Sequence, residues 1–179
     1  HLDFRRQRQM CIRDSFYHSP PTSLVSIENT SNKGGGSCYD LNSLRSISKL
    51  CKKKNISTHL DGARIWNAMV ATNTNANDYG DLFDTISVCF SKGLGCPIGS
   101  MLISSKELIK KAIRYRKVLG GGMRQVGYIA AAVNYAIDNN ISDLAYDHKK
   151  AKELEVVLKN LNYVESVEPV STNIIIFSL

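Results

Sequence analysis

The 179-residue sequence has no apolar run long enough to cross a membrane and no evident secretory signal. Its five cysteines form no C-x-x-C pair and lack zinc-ligand spacing, so the sequence predicts neither a disulfide framework nor a metal site. A Ser/His/Asp nucleophile set is not evident either. An odd number of irregularly spaced cysteines favours a reducing compartment, and we therefore expect a cytoplasmic protein without a membrane partner.

The net charge is strongly positive, but its pattern does not define a nucleic-acid site. The formal charge is +7 and the isoelectric point is about 9.2, with Lys and Arg scattered through helix-like segments and no interleaved aromatic motif. No nucleic-acid partner is predicted, although a non-catalytic or nucleic-acid-binding paralogue is kept as an alternative. At 43% hydrophobic residues, the chain is long enough to bury a core as one domain.

The two ends differ from the rest of the chain. Residues 1–15 are rich in Arg and Gln and follow neither helical nor strand periodicity, so we predict a non-native or disordered leader with no chemical role. At the other end, residues 173–179 indicate a strand after which the sequence stops. We therefore expect the chain to be an internal fragment of a longer protein.

Strand-like and helix-like segments alternate along the chain. Strands are expected at residues 23–27, 56–60, 84–90 and 99–104. Helices are expected where apolar residues recur at helical spacing: from the N-cap Asp40, where Leu41, Leu44, Ile47 and Leu50 form the stripe, and at residues 65–71, 108–119, 126–137 and 144–161. Residues 126–137 are apolar nearly all round, which predicts burial, whereas residues 72–77 are expected to be a polar loop. This alternation favours an α/β layer architecture with a mainly parallel sheet.

Two residues at predicted strand ends suggest a cofactor-binding site. Asp61 follows the strand at residues 56–60, and Lys92 follows the strand at residues 84–90. The carboxyl ends of strands in open α/β sheets are the usual ligand site. A lysine amine can form a Schiff base with pyridoxal phosphate, while a carboxylate can hold the pyridine nitrogen protonated. Taken singly, Asp61 could be a helix N-cap and Lys92 a surface lysine. Together they favour a cofactor site.

Neighbouring residues could complete this site. Ser91 could donate to a phosphate or merely cap a turn. Arg64 could bind a substrate carboxylate bidentately or pair with a surface acid. The glycines at residues 120–122 precede a predicted helix and could receive an anion, although a flexible hinge is the simpler interpretation.

Four motifs together resemble the threonine aldolases of the aromatic amino acid beta-eliminating lyase superfamily. They are ENTSN at residues 28–32, HLDGAR at residues 59–64, SKGLGCPIGS at residues 91–100 and LGGGMRQ at residues 119–125. The similarity extends from about residue 22 to the end. It implies a fold-type I pyridoxal-phosphate enzyme truncated at both ends, with residues 16–140 as a partial cofactor-binding large domain and residues 141–179 beginning the C-terminal small domain.

The resemblance also implies roles for individual residues. Lys92 would bind the cofactor and Asp61 would pair with its ring nitrogen, while Arg64 would bind the substrate carboxylate. Lys117 and Arg124 match positions that reach the cofactor phosphate of a neighbouring subunit, which implies a homo-oligomer, a dimer or a tetramer.

Ser31 stands where the family usually has a histidine near the substrate hydroxyl. Serine is a poor general base at neutral pH and would act there as a hydrogen-bond partner. The family's upstream phosphate-binding turn, its ring-stacking histidine and its late carboxylate-binding arginine are not present in the sequence.

The resemblance therefore implies an aldehyde-lyase. Its expected reaction is the retro-aldol cleavage of threonine or allo-threonine, a small amino-acid substrate, to glycine and an aldehyde. Two alternatives remain open at this point: a related pyridoxal-phosphate enzyme that performs β-elimination or transamination, and the non-catalytic paralogue named above.

Overall fold

A four-stranded sheet forms the centre of the computed structural model, which describes residues 21–179. The strands β1 (Leu24–Glu28), β2 (Ser57–Gly62), β3 (Thr85–Cys89) and β4 (Ser100–Ser104) follow one another in that order across the sheet. The first three are parallel and β4 is antiparallel to β3. The prediction of a mainly parallel α/β sheet is therefore confirmed. The predicted leader at residues 1–15 lies outside the described residues.

Helices connect and cover the strands. They are α1 (Leu41–Lys53), α2 (Ile65–Thr72), α3 (Ala76–Gly80), α4 (Lys106–Val118), α5 (Gly127–Asn139) and α6 (Leu144–Lys159). Asp40 is the N-cap of α1, as predicted, because its carboxylate accepts hydrogen bonds from the backbone of Asn42 and Ser43 at 3.0 Å each. A short pair of strands, β5 (Ser166–Val167) and β6 (Phe177–Ser178), forms a separate antiparallel sheet.

The core lies mainly between the parallel strands and the helices α1, α2, α5 and α6. Ile27, Leu60 and Ile86 occupy one register row across β1, β2 and β3, and all three are buried. The row continues to Ile103 on β4, but this side chain is 45% exposed. Apolar side chains are thus well covered over the parallel strands and poorly covered over β4.

Three predictions of local structure were wrong. The segment at residues 72–77 is not only a loop, because α3 begins at Ala76 with a capping box between Asn75 and Asp78. Leu50 was expected on the apolar face of α1 but is 58% exposed, and the adjacent Cys51 is buried instead. Of the apolar segment 173–179, only Phe177–Ser178 forms a strand.

The burial expected of α5 is also incorrect within this chain. Only Val133 and Ala136 of this helix are buried, while Tyr128 is 88% exposed. The neighbouring helix α4 has no buried residue. Both helices carry apolar side chains that the described residues leave uncovered.

Candidate active site at the carboxyl edge of the sheet

The three parallel strands end at one edge, called here the carboxyl edge. The register pairs Glu28 of β1 with Asp61 of β2, and Asp61 with Ser87 of β3. Lys92 follows three residues after the last residue of β3. Asp61 and Lys92 thus lie at the ends of adjacent strands on the same edge, as the sequence predicts.

Asp61 is held in a defined orientation. The backbone carbonyl of Asp61 accepts a hydrogen bond from the Asn29 N–H at 3.0 Å, and its side-chain Oδ1 accepts one from the Ala63 N–H at 3.1 Å. The helix α2 begins only at Ile65, and no side chain caps it. Asp61 is therefore not the N-cap of that helix, and its carboxylate is fixed by a local turn.

The lysine turn, defined as residues 90–99, leads the chain from β3 back to β4. Three backbone hydrogen bonds close it: Gly95 N–H to the Lys92 carbonyl at 2.8 Å, Cys96 N–H to the Phe90 carbonyl at 3.2 Å, and Phe90 N–H to the Gly99 carbonyl at 3.0 Å. Gly95 and Gly99 have φ angles of 77° and 137°, which other residues rarely adopt. The glycines of this motif are thus needed for its conformation.

Side chains anchor the same turn to the core. Leu94 is buried, and its carbonyl accepts a hydrogen bond from Asn140 Nδ2 at 2.8 Å. The Trp66 indole N–H donates to the Cys89 carbonyl at 3.0 Å, and the ring centroids of Trp66 and Phe90 are 5.9 Å apart. Ser91 and Lys92 themselves are exposed. The backbone that carries them is therefore held by several contacts while their side chains remain accessible.

Gly93 connects the lysine turn to α6. A Cβ atom at residue 93 would lie 2.7 Å from Leu144 Cδ2, so α6 packs directly against the residue that follows Lys92. Nearby, Asn67 of α2 and His148 of α6 form a buried hydrogen bond of 3.1 Å between Nδ2 and Nε2. Burial lowers the pKa of His148, the Asp147 carboxylate opposes that shift and Lys152 reinforces it. The imidazole is thus suited to accept the Asn67 amide hydrogen in its neutral form.

Arg64 lies three residues beyond Asp61, directly before α2. It is half-buried, and the ion pairs found among residues 21–179 do not include it. A guanidinium without a carboxylate partner, adjacent to the carboxyl edge, is compatible with the predicted role in binding a substrate carboxylate.

Ser31 lies in the loop that follows β1. Its N–H donates to the Ser37 carbonyl and its carbonyl accepts from the Gly36 N–H, each at 2.9 Å. A Cβ atom at residue 34 would lie 2.9 Å from Ser31 Oγ and 2.8 Å from Ser37 Oγ. The hydroxyl of Ser31 therefore faces Gly34 within its own loop. In the described part of the chain, no hydrogen bond joins this hydroxyl to Asp61 or Lys92.

Lys117 and Arg124 belong to the end of α4 and to the segment that follows it. Lys117 is near the end of α4, where a Cβ atom at residue 122 would lie 3.0 Å from its Cδ. Arg124 is in the exposed segment before α5. Within residues 21–179, no hydrogen bond or ion pair connects either side chain to Asp61 or Lys92. Their predicted role at the cofactor phosphate of a neighbouring subunit therefore stays a prediction.

The sequence interpretation missed three side chains that carry buried polar atoms without a partner among the described residues. Asn29 and Thr30 directly follow β1 and are completely or almost completely buried. Asn29 Oδ1 accepts the Tyr39 N–H at 3.3 Å, whereas Asn29 Nδ2, Thr30 Oγ1 and Asn173 Oδ1 have no hydrogen-bond partner among the described residues. Asn29 and Thr30 belong to the ENTSN motif, so that motif was the available signal. Nothing in the local pattern distinguishes Asn173.

Two further observations define what the described residues contain. None of the helices in residues 21–179 combines the length and apolar character needed to span a membrane. The same residues include no cluster of three His, Cys, Asp or Glu side chains that could hold a metal ion.

Comparison with known proteins decides the family. A sequence model described as "Beta-eliminating lyase" matches residues 1–179. The chain belongs to the beta-eliminating lyase family. Within this family, the chain is 42% identical over 162 residues to a probable low-specificity L-threonine aldolase 2 of Arabidopsis thaliana. It is 39% identical over 166 residues to a low-specificity L-threonine aldolase of Candida albicans. The resemblance expected from the four motifs is therefore confirmed.

A solved structure supports the assignment to the beta-eliminating lyase family. A putative L-allo-threonine aldolase from Listeria monocytogenes superposes with a TM-score of 0.77 at 28% identity, covering 86% of this chain and 43% of that one. The fold is thus the fold-type I architecture expected of the beta-eliminating lyase family. The two relatives above are matched over 88% and 93% of this chain but only 45% and 43% of their own lengths. The chain spans less than half the length of the curated relatives that it matches.

The side chains at the carboxyl edge suit pyridoxal phosphate, the cofactor expected from the sequence. A carboxylate and an amine lie at one sheet edge, which is the pair that a protonated pyridine ring and its aldehyde require. The unpartnered Asn29 Nδ2 and Thr30 Oγ1 directly follow the neighbouring strand β1. Buried polar atoms without partners are costly unless a ligand satisfies them. The described residues therefore fit pyridoxal phosphate chemically.

Proposed function

We propose that the protein carrying this sequence is a pyridoxal-phosphate-dependent lyase that cleaves β-hydroxy-α-amino acids, threonine or allo-threonine, to glycine and an aldehyde. The position of Asp61 and Lys92 at the ends of adjacent parallel strands is the single observation that carries this proposal. The names of the two sequence relatives above, a probable low-specificity L-threonine aldolase and a low-specificity L-threonine aldolase, support the choice of substrate.

Each predicted residue has a role in this proposal. When bound, pyridoxal phosphate supplies an electron sink for the bond between Cα and Cβ of the substrate. Lys92 would hold the cofactor through its amine, and Asp61 would keep a proton on the ring nitrogen through its untethered oxygen. Ser91 would donate its hydroxyl to the phosphate. Arg64 would bind the substrate carboxylate and so orient the scissile bond.

Ser31 is the weakest member of this set. The hydroxyl of Ser31 lies against Gly34, and a serine hydroxyl does not accept a proton readily at neutral pH. We propose that Ser31 contributes at most a hydrogen bond to the substrate hydroxyl. On this view, the proton of that hydroxyl leaves through another group or through water.

The first experiment replaces the lysine. In the protein that carries this sequence, Lys92→Ala should abolish both the visible absorbance of bound cofactor and the release of aldehyde from threonine. Lys54→Ala, a change at an exposed lysine just after α1, is the matched control and should leave both unchanged. A Lys92→Ala protein that cleaves threonine at the parental rate would refute the proposed role.

The family description favours one second candidate, β-elimination. The two reactions break different bonds, so their products separate them. Retro-aldol cleavage of threonine yields glycine and acetaldehyde, whereas β-elimination yields ammonia and a keto acid. Measuring all four products from one incubation assigns the reaction, and a predominance of ammonia and keto acid would replace the aldolase proposal.

We further propose that the active form is a homo-oligomer in which Lys117 and Arg124 bind the cofactor phosphate of a neighbouring subunit. The exposed apolar side chains of α4 and α5, together with the segment between them, support an interface there, since soluble proteins rarely leave such patches uncovered. Mixing two inactive variants tests this arrangement. Lys92→Ala and Arg124→Ala subunits should together regain about a quarter of the parental activity, because half of randomly formed dimers contain one intact site out of two. No recovery on mixing would place Arg124 in its own subunit's site.

A further inference from the structure

Among residues 21–179, the buried side-chain nitrogen and oxygen atoms without a hydrogen-bond partner are only three: Asn29 Nδ2, Thr30 Oγ1 and Asn173 Oδ1. The first two directly follow β1, and the third is more than 140 residues further along the chain. Native interiors satisfy nearly all their polar atoms, so three exceptions in two short segments are informative.

The fold brings these two segments to the same loop. The Thr172 hydroxyl donates to the Gly36 carbonyl at 2.8 Å, and Thr172 is fully buried. The Gly36 N–H in turn donates to the Ser31 carbonyl at 2.9 Å. We call the contact between residues 29–37 and residues 170–174 the edge junction.

The edge junction is closely packed at Gly36. A Cβ atom at residue 36 would lie 2.2 Å from Thr172 Oγ1 and 3.3 Å from Ile174 Cβ. Only glycine leaves room for residues 172–174 at this distance, and Gly36 also has a φ angle of 75°. The position of Asn173 is therefore fixed by the residues on both sides of it.

The edge junction lies beside the candidate active site. Asn29 donates its backbone N–H to the carbonyl of Asp61, so the start of the junction is hydrogen-bonded to the residue proposed to pair with the cofactor ring. The unpartnered atoms of Asn29 and Thr30 thus lie at the β1 side of the carboxyl edge, while Lys92 follows β3. Asn173 is joined to the same loop through the neighbouring Thr172–Gly36 hydrogen bond.

The unpartnered atom of Asn173 is an acceptor and needs a donor. A carboxylate or an ionised phosphate cannot supply one, whereas a hydroxyl or an amine can. In the proposed function, the substrate amine is engaged at the Lys92 side of the edge. The β-hydroxyl is then the substrate donor that remains to be bound.

We infer that Asn173 is a specificity-determining residue, which accepts a hydrogen bond from the β-hydroxyl of the amino-acid substrate while the Thr172–Gly36 hydrogen bond holds it in place. This inference rests on the proposed function and adds a residue to it. A site that hydrogen-bonds a substrate hydroxyl discriminates against analogues that lack it, because the buried acceptor is then left unpaired.

The test compares the binding of L-serine with that of L-alanine, which differ only in the hydroxyl. Dissociation constants are measured on the cofactor-loaded protein carrying this sequence, from the change in cofactor absorbance and independently from the ligand-induced rise in melting temperature. The parent should bind serine about 5- to 100-fold more tightly than alanine, the range expected for one buried acceptor.

Three variants make the comparison specific. Asn173→Leu keeps the side-chain volume without the acceptor, and should weaken serine binding until the two dissociation constants are nearly equal. Asn173→Asp retains an acceptor oxygen and should preserve the preference. Asn162→Leu, at an exposed asparagine outside the junction, is the control and should behave like the parent. The melting temperature without ligand reports whether each variant is folded.

The outcomes separate this inference from the proposed function. A parental preference that persists in Asn173→Leu, or a parent that shows none, overturns the role of Asn173. If the parent also binds cofactor and releases aldehyde from threonine, the proposed function stands and only the inference fails. If the parent neither binds cofactor nor releases aldehyde, both are overturned.

Discussion

The parallel part of the sheet and the region from β4 to α5 carry similar apolar patterns but bury them differently. Ile27, Leu60 and Ile86 are at most 7% exposed, whereas Ile103 in the same register row is 45% exposed. Helix α6 packs against the lysine turn, while α4 has no buried residue. Apolar periodicity therefore reports which face of an element is meant to be covered. It does not report whether residues 21–179 themselves supply the groups that cover it.

Core truncations should give the largest difference between the two regions. Leu60→Ala removes a fully buried side chain and should lower the free energy of unfolding by about 2–5 kcal/mol. Ile103→Ala, in the same row, should cost about 1 kcal/mol or less because the side chain is partly in solvent. Urea denaturation of the two variants measures both values. Equal losses would mean that β4 is covered in solution.

Two glycines with positive φ angles provide the next comparison. Gly36 and Gly120 have φ angles of 75° and 82°, so alanine at either position carries a backbone penalty of about 1–2 kcal/mol. The space around Gly120 is open, but a Cβ atom at residue 36 would overlap Thr172. Gly36→Ala should therefore be more destabilising than Gly120→Ala by about 1–3 kcal/mol. Thermal or denaturant unfolding measures the difference, and equal values would contradict the close packing at the edge junction.

Helix capping should show a smaller contrast. Asp40 accepts two backbone hydrogen bonds at 3.0 Å at the start of α1, whereas Ser105 accepts only one, at 3.4 Å, at the start of α4. Asp40→Ala should lower the free energy of unfolding more than Ser105→Ala does, as urea denaturation of the two variants would measure. Hydrogen bonds from Ser43 and Asn42 lower the pKa of Asp40, so its contribution is present at neutral pH and is lost as pH falls through the lowered pKa. A larger loss for Ser105→Ala than for Asp40→Ala would refute this ranking.

The smallest effect is expected from His148, whose pKa burial holds below the ordinary value of 6.5. Between the folded and unfolded pKa values, the unfolded chain binds more protons, so stability should fall as pH is lowered through 6.5. Asn67→Asp places a carboxylate beside the ring, which raises the pKa of His148 and should reverse this slope. Unfolding free energies measured from pH 8 to pH 5 give both slopes, and a parental slope that persists in Asn67→Asp would exclude His148 as its source.

Much of the fold and part of the site could be predicted from the sequence. The strands before Asp61 and Lys92 were recognisable because β-former runs end at chemically distinctive residues. The partners of those residues were not, because the Asn29–Asp61 and Gly93–Leu144 contacts depend on register and helix packing. Asn173 could not be found for the same reason, since its significance arises only where Thr172 meets Gly36. The burial of α5 was mispredicted because an apolar pattern does not show whether the described residues supply the groups that cover it.

The tether on Asp61 has a consequence for how its position can be substituted. One carboxylate oxygen is engaged by the Ala63 N–H and the main-chain carbonyl by Asn29, so only the second oxygen projects freely. Glutamate would keep the formal charge, but its additional methylene would displace that oxygen by about 1.5 Å, one C–C bond length. Displacements of this size are enough to misalign a reacting pair. At this position, the length of the side chain matters as much as its charge.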